Sequence, residues 1–161
     1  MIRISLQNAS AIKTVPKLNE FKKWVNAAMK DRCEHAEICI RLIDEAESTH
    51  LNETYRKKKK GPTNVLSFVY HSPLHTPPLA GEVATLCVAG EGYLQGDLAI
   101  CVPVMLNEAK TQNISLDYHW AHISVHGALH LLGYDHEKEE EAIVMEALEK
   151  DILETLGYQT P

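Results

Sequence analysis

The sequence predicts an α+β protein: one domain, a small mixed β-sheet of about four strands, and about five helices packed on it. Two patterns carry that prediction. Short stretches of alternating apolar and polar residues are interspersed with longer stretches of helical apolar spacing. The chain also has 161 residues with neither an internal repeat nor a linker-like run, which suits one domain, residues 1–161, with a sizeable core.

Residues 2–8 alternate as a half-buried strand does. From Pro16 to Lys30, Leu18, Phe21, Trp24, Val25 and Ala28 recur at helical spacing, and Pro16 fits the first helical turn. Residues 36–43 alternate again through Ile38, Ile40 and Leu42. Asp44 then serves as N-cap of a helix over 45–56 that ends near Tyr55. The run Arg56 to Lys60, followed by Gly61-Pro62, is a loop by its charge and its break.

Thr63 to Tyr70 is the third strand, rich in Val, Phe and Tyr. Residues 71–81 carry three prolines and form a loop, and an extra short strand is expected at 82–89. Gly96 to Val102 belongs to the main sheet, Pro103 to Asn113 to a helix, and Leu116 to Leu132 to the next helix. A last helix spans about 138–156, with Met145, Leu148, Ile152 and Leu156 as its core stripe and its glutamates as a solvated face.

Composition sets bounds on function. Hydrophobic content of 45% with 24% charged residues is ordinary for a soluble globular protein, and no stretch approaches the ~20 apolar residues of a membrane span. The N-terminus alternates and lacks the basic-then-apolar layout of a signal peptide, so a cytoplasmic protein is expected. Four scattered cysteines, Cys33, Cys39, Cys87 and Cys101, form no CxxC pair; Cys39 and Cys101 lie in apolar runs as buried free thiols. The net charge of −6 argues against a polyanionic partner only until its distribution is seen. Residues 137–154 hold eight carboxylates against two lysines, which leaves the remainder balanced and one dense basic run at 56–60. A locally positive groove is compatible with that asymmetry.

The chemistry concentrates in His126-Gly-Ala-Leu-His130-Leu-Leu-Gly133-Tyr-Asp135-His136. Residues four apart share a helix face, so His126 and His130 can offer imidazole nitrogens to one ion. Gly133 suits the left-handed stop of that helix, and the turn there swings His136 back toward the other two. Three imidazoles suit a catalytic Zn²⁺, one per chain, with a fourth position left for water of lowered pKa. His119 and His122 lie on the same face, at about −60° to 0° beside about −20° and +20° for His126 and His130. His122 either supports a ligand or faces substrate, and His119 lies near the helix start; for both, a partly exposed helix histidine is the plain alternative.

The spacing also fits the zinc-protease pattern HExxHxxGxxH, except that Gly127 stands where the protease has its glutamate base. That counts against peptide hydrolysis. Asp135 is the nearest carboxylate in sequence, able to orient a histidine, accept a proton or stabilise the turn. Arg56 and its lysines can hold phosphates, as a guanidinium does in bidentate fashion.

The stretch His119-Trp-Ala-His122-Ile-Ser-Val-His126-Gly-Ala-Leu-His130-Leu-Leu-Gly-Tyr-Asp-His136 resembles the signature of the YbeY family, bacterial endoribonucleases of ribosomal RNA maturation. Thr63-Asn64-Val65-Leu66-Ser67-Phe68 and Gly96-Asp97-Leu98-Ala99-Ile100 are similar to two further family blocks, and Met145-Glu146-Ala147-Leu148-Glu149 to its C-terminal helix. The resemblance implies a zinc-dependent, single-strand-specific endoribonuclease acting on rRNA precursors and defective rRNA, working with small ribosomal subunit particles and not with DNA. It implies His126, His130 and His136 as zinc ligands and catalytic residues, and Arg56 or Lys57 as the functional arginine's position. Arg56 stands eight residues before Asn64, where the family arginine stands seven before it; either the loop holds one extra residue or Lys57 fills the slot. Residues 71–95 are longer than the family's usual connection. Two other readings stay open: a zinc-dependent hydrolase of another bond, peptidase-like, and a non-catalytic ribosome-assembly factor with structural zinc.

Overall fold

The computed structural model describes residues 1–57, 59–70 and 93–161, Tyr93 by its backbone alone. The expected loop at 71–81, the extra strand at 82–89 and Cys87 lie outside the described residues. Four strands form one mixed sheet: β1 (Ile2–Asn8), β2 (His35–Ile43), β3 (Val65–Tyr70) and β4 (Tyr93–Cys101), in the order β1-β2-β4-β3. β1, β2 and β4 run parallel, whereas β3 pairs antiparallel with β4 and forms an edge. Five helices accompany the sheet: α1 (Leu18–Met29), α2 (Glu45–Tyr55), α3 (Val102–Gln112), α4 (Leu116–Leu131) and α5 (Glu139–Thr155).

Alternation within the strands divides the apolar side chains between the two faces. Ile4, Ile38, Ile40, Leu42, Leu98 and Ile100 join α1 and α4 in the main core. Ile43, Leu66, Ala99 and Cys101 form a smaller cluster on the other side, with Leu51 of α2 packed against it. Between α1 and α4 the main core is aromatic: Phe21 meets Trp24 edge-on at 5.4 Å and Trp120 at 5.8 Å. Trp24 is buried, and its indole N–H donates to the Tyr158 hydroxyl at 3.0 Å, which satisfies the one polar atom that burial would otherwise strand.

The helix bearing the histidines seats on the sheet through two glycines. A Cβ on Gly127 of α4 would stand 3.0 Å from Leu98 and 3.2 Å from Val65. On Gly96 of β4 it would stand 2.8 Å from Leu131 and from the Phe68 carbonyl oxygen. Ser67 adds a hydrogen bond, its hydroxyl donating to the Gly127 carbonyl at 3.0 Å. Close backbone approach therefore fixes α4 over β3 and β4.

Several local expectations need correction. Pro16 is not in the first turn of α1: Lys17 is the N-cap, and its N–H donates to Glu20, 2.9 Å away. Asp44 does stand at the N-cap of α2, but its carboxylate does not cap the helix. It accepts from the Ser10 hydroxyl at 2.5 Å and from the Ala11 N–H at 2.9 Å, which together hold its carboxyl below the usual carboxylate range. Cys33 and Cys101 are buried, whereas Cys39 is only half-buried. Among the described residues, no helix is long and apolar enough to cross a membrane.

Candidate metal centre

Helix α4 starts at the N-cap Ser115, whose hydroxyl accepts the Tyr118 N–H at 3.1 Å. It stops where the glycine requires it to stop. Gly133 has φ of 97°, its N–H donates to the His130 carbonyl at 3.0 Å, and the Tyr134 N–H reaches back to the Leu129 carbonyl at 3.1 Å. That pair of bonds is the Schellman ending, which needs a positive φ at its glycine. The chain then turns, and the Asp135 carboxylate accepts the His136 N–H at 2.7 Å. Asp135 thus stabilises the turn that carries His136.

The result is convergence. His126, His130 and His136 each offer a ring nitrogen, and these atoms lie within 4.8 Å of one another. Ring centroids are 4.5 Å apart for His126 and His130, 5.0 Å for His130 and His136, and 5.4 Å for His126 and His136. The Nε2 atoms of His126 and His130 are 3.0 Å apart. Two nitrogens at ~2.05 Å from a tetrahedral zinc would stand ~3.3 Å apart, so the donor set and its spacing fit such an ion. Burial, and then the adjoining His126 and His136 rings, push the His130 imidazole down to about 4. At neutral pH its nitrogen lone pair is therefore free of competition from a proton.

A residue that sequence patterning assigned to solvent completes the surroundings. Glu149 of α5 is only 7% exposed. One of its oxygens bonds His126 Nδ1, and the other bonds His122 Nε2 at 3.0 Å. Burial works against its charge, but the hydrogen bonds of His122 and His126 outweigh that and hold the carboxyl at about 2. The signal was present in the sequence: Glu149 follows Met145 by four and precedes Ile152 by three, on the apolar stripe itself. The solvated-face reading holds for Glu139 and Glu140 and fails for Glu149. His122, Glu149 and two of the triad, His126 and His136, line a cavity of about 340 Å³ with Met145 and Glu146.

His119 is not the partly exposed histidine of the plain alternative. It is 2% exposed, 3.2 Å from the Glu108 carboxylate without hydrogen-bond alignment, and its burial pushes its pKa down. Glu108 also accepts from the Asn64 side-chain amide at 3.3 Å. Arg56 closes α2 as its C-cap residue, exposed, with its N–H donating to the Asn52 carbonyl at 2.8 Å. No hydrogen bond or ion pair joins its guanidinium to the triad among the described residues. Beyond the basic run, Gly61 and Thr63 are tied to α2: the Asn52 side chain donates to the Gly61 carbonyl at 2.9 Å, and the Ser48 hydroxyl bonds both polar backbone atoms of Thr63 at 3.0 Å.

These features define an α+β protein with a three-histidine candidate metal centre on and just after one helix. The chain belongs to the endoribonuclease YbeY family, whose description matches residues 4–157 of its 161. Its class is accordingly that of the RNA-cleaving nucleases. It is also similar in fold to a Thermotoga maritima protein known from its solution structure, at 21% identity and a TM-score of 0.53, covering 98% of this chain and 92% of that one.

Proposed function

We propose that this chain is a zinc-dependent, single-strand-specific endoribonuclease that acts in the cytoplasm on rRNA precursors, in maturation and in ribosome quality control, with small ribosomal subunit particles as its setting. The convergence of His126, His130 and His136 carries the reading, together with membership of an endoribonuclease family. The three histidines would hold one ion, and two of them, His126 and His136, also line the cavity. A zinc ion, when bound, supplies Lewis-acid polarisation and water of lowered pKa. Arg56 and the lysines beside it bind phosphates of the RNA, with Arg56 neutralising charge as it develops on the scissile group. The nucleophile is either water or the RNA's own 2′-OH, and the chemical nature of the product ends distinguishes them.

Peptide hydrolysis fits less well. The position after His126 is a glycine turned against Leu98 and Val65, so no base can be held there. A purely structural zinc would require a fourth protein ligand, and among the described residues the group has three.

The test pairs cleavage of single-stranded RNA with metal content for the wild type, Arg56→Ala and His130→Ala. We expect His130→Ala to lose both zinc and cleavage. Arg56→Ala should keep zinc while cleavage drops roughly 10²–10³-fold, the range for losing one group that stabilises transition-state charge. Cleavage that survives in zinc-free His130→Ala would refute the reading.

A further inference from the structure

We propose that Glu149 is the positioning residue of the three-histidine centre: it holds the His126 ring in the tautomer whose Nε2 faces the ion, and His122 holds Glu149. The inference rests on the metal-centre reading above. Its basis is how the two nitrogens of one ring are divided. His126 Nδ1 bonds Glu149 Oε1, whereas His126 Nε2 stands 3.0 Å from His130 Nε2. An ionised carboxylate accepts and never donates, so the proton of the His126 ring belongs on Nδ1 and the lone pair on Nε2. That is the tautomer a ligand needs if Nε2 is the donor atom.

The second oxygen is not left to water. It bonds His122 Nε2 at 3.0 Å, and His122 in turn stacks on Tyr118 with ring centres 5.9 Å apart. The order Tyr118, His122, Glu149, His126 thus runs from α4 across to α5 and back to α4. Each member restricts the next.

A mere clamp between α4 and α5 would explain the contact but not the residue type. Glu149 lies between Met145 and Ile152 on a face that otherwise buries apolar side chains, and a leucine there would bury more apolar surface without a charge to desolvate. Among the described residues no lysine or arginine pairs with Glu149; its ion-pair partners are the two imidazoles. Lys150, its neighbour in sequence, lies by Glu154 instead. A buried carboxylate answered only by imidazoles, one of them a metal-ligand candidate, is the arrangement that orients a ligand and raises its basicity.

The experiment uses the full chain as wild type, His130→Ala, Glu149→Gln and Glu149→Leu. Zinc affinity is measured by competition with a chelator, and the His126 tautomer by long-range ¹H–¹⁵N correlation spectra of the metal-free protein. Wild type should show a His126 proton on Nδ1. Both Glu149 variants should bind zinc about 10–100-fold more weakly, the cost typical of losing a group that orients a ligand. Glu149→Leu should in addition shift the His126 proton toward Nε2, a change that loss of helix packing alone does not produce. Glu149→Gln keeps the shape, so it serves if the leucine variant does not fold. Wild-type affinity in the Glu149 variants, with His130→Ala unable to bind, would overturn the positioning role and leave the metal centre standing. Zinc binding absent from the wild type, or unchanged in His130→Ala, would instead overturn the metal-centre reading, and this inference with it.

Discussion

Gly127 shows how one residue can exclude a reaction that the surrounding spacing permits. The histidines stand at protease intervals, but the helix turns position 127 into the sheet, where even a Cβ would stand 3.0 Å from Leu98. Installing the protease glutamate there would bury a carboxylate among Leu98 and Val65 with no cation to answer it. We expect Gly127→Glu to lose about 3 kcal/mol or more of folding stability, by denaturant midpoint, and to gain no proteolysis of casein with zinc added. Proteolysis by a folded variant would show that position 127 faces the centre after all. The absence of that glutamate was legible in the sequence, and so was the triad, because all three histidines lie within one helix and its stop. Glu149 was missed for the opposite reason. Its partners are 23 and 27 residues away, so only the packing of α5 on α4 reveals that it answers two histidines. Its place on an apolar stripe marked it as buried but could not name what it touches.

Helix and strand positions followed from periodicity and stop signals nearly throughout, and their ends diverged where a distant side chain decided the outcome. Asp44 has the right type and place for an N-cap, yet Ser10 and Ala11 claim its carboxylate. Gly133 is the contrasting case, since its signal and its role are both local. With φ of 97° it occupies backbone space that a Cβ makes costly, and it decides the direction in which the chain leaves α4. We expect Gly133→Ala to destabilise the protein by about 1–2 kcal/mol. Zinc affinity should fall by more than that of a variant equally destabilised in α1, because the strain bears on the turn that carries His136. Calorimetry beside chelator competition measures both quantities. An unchanged affinity at reduced stability would mean that His136 reaches the centre by another backbone route.

Across the whole molecule, the α+β class and the approximate number of elements were legible, but the sheet order was not. Nothing in alternation tells that β4 enters beside β2, or that β3 runs antiparallel along its outer side. Those choices bring Gly96 under Leu131 and so fix α4, which in turn sets the centre against α5. The candidate ligands, by contrast, span just residues 126–136, so an ion held there would cross-link no distant elements. Its effect on stability comes through linkage alone: zinc favours the fold to the extent that it binds the folded chain better than the unfolded one. At a free zinc concentration 100 times the dissociation constant the gain is about 2.7 kcal/mol, equivalent to roughly 5–10 °C in Tm for a chain of this length. That figure is a ceiling, because an unfolded chain still carries three histidines within eleven residues and retains some affinity. We therefore expect zinc to raise the Tm of the wild type by several degrees and less than this ceiling, and a chelator to reverse the rise. His130→Ala should show no zinc-dependent shift. An equal shift in that variant would place the stabilising ion elsewhere on the protein, and the three-histidine centre would lose its claim to it.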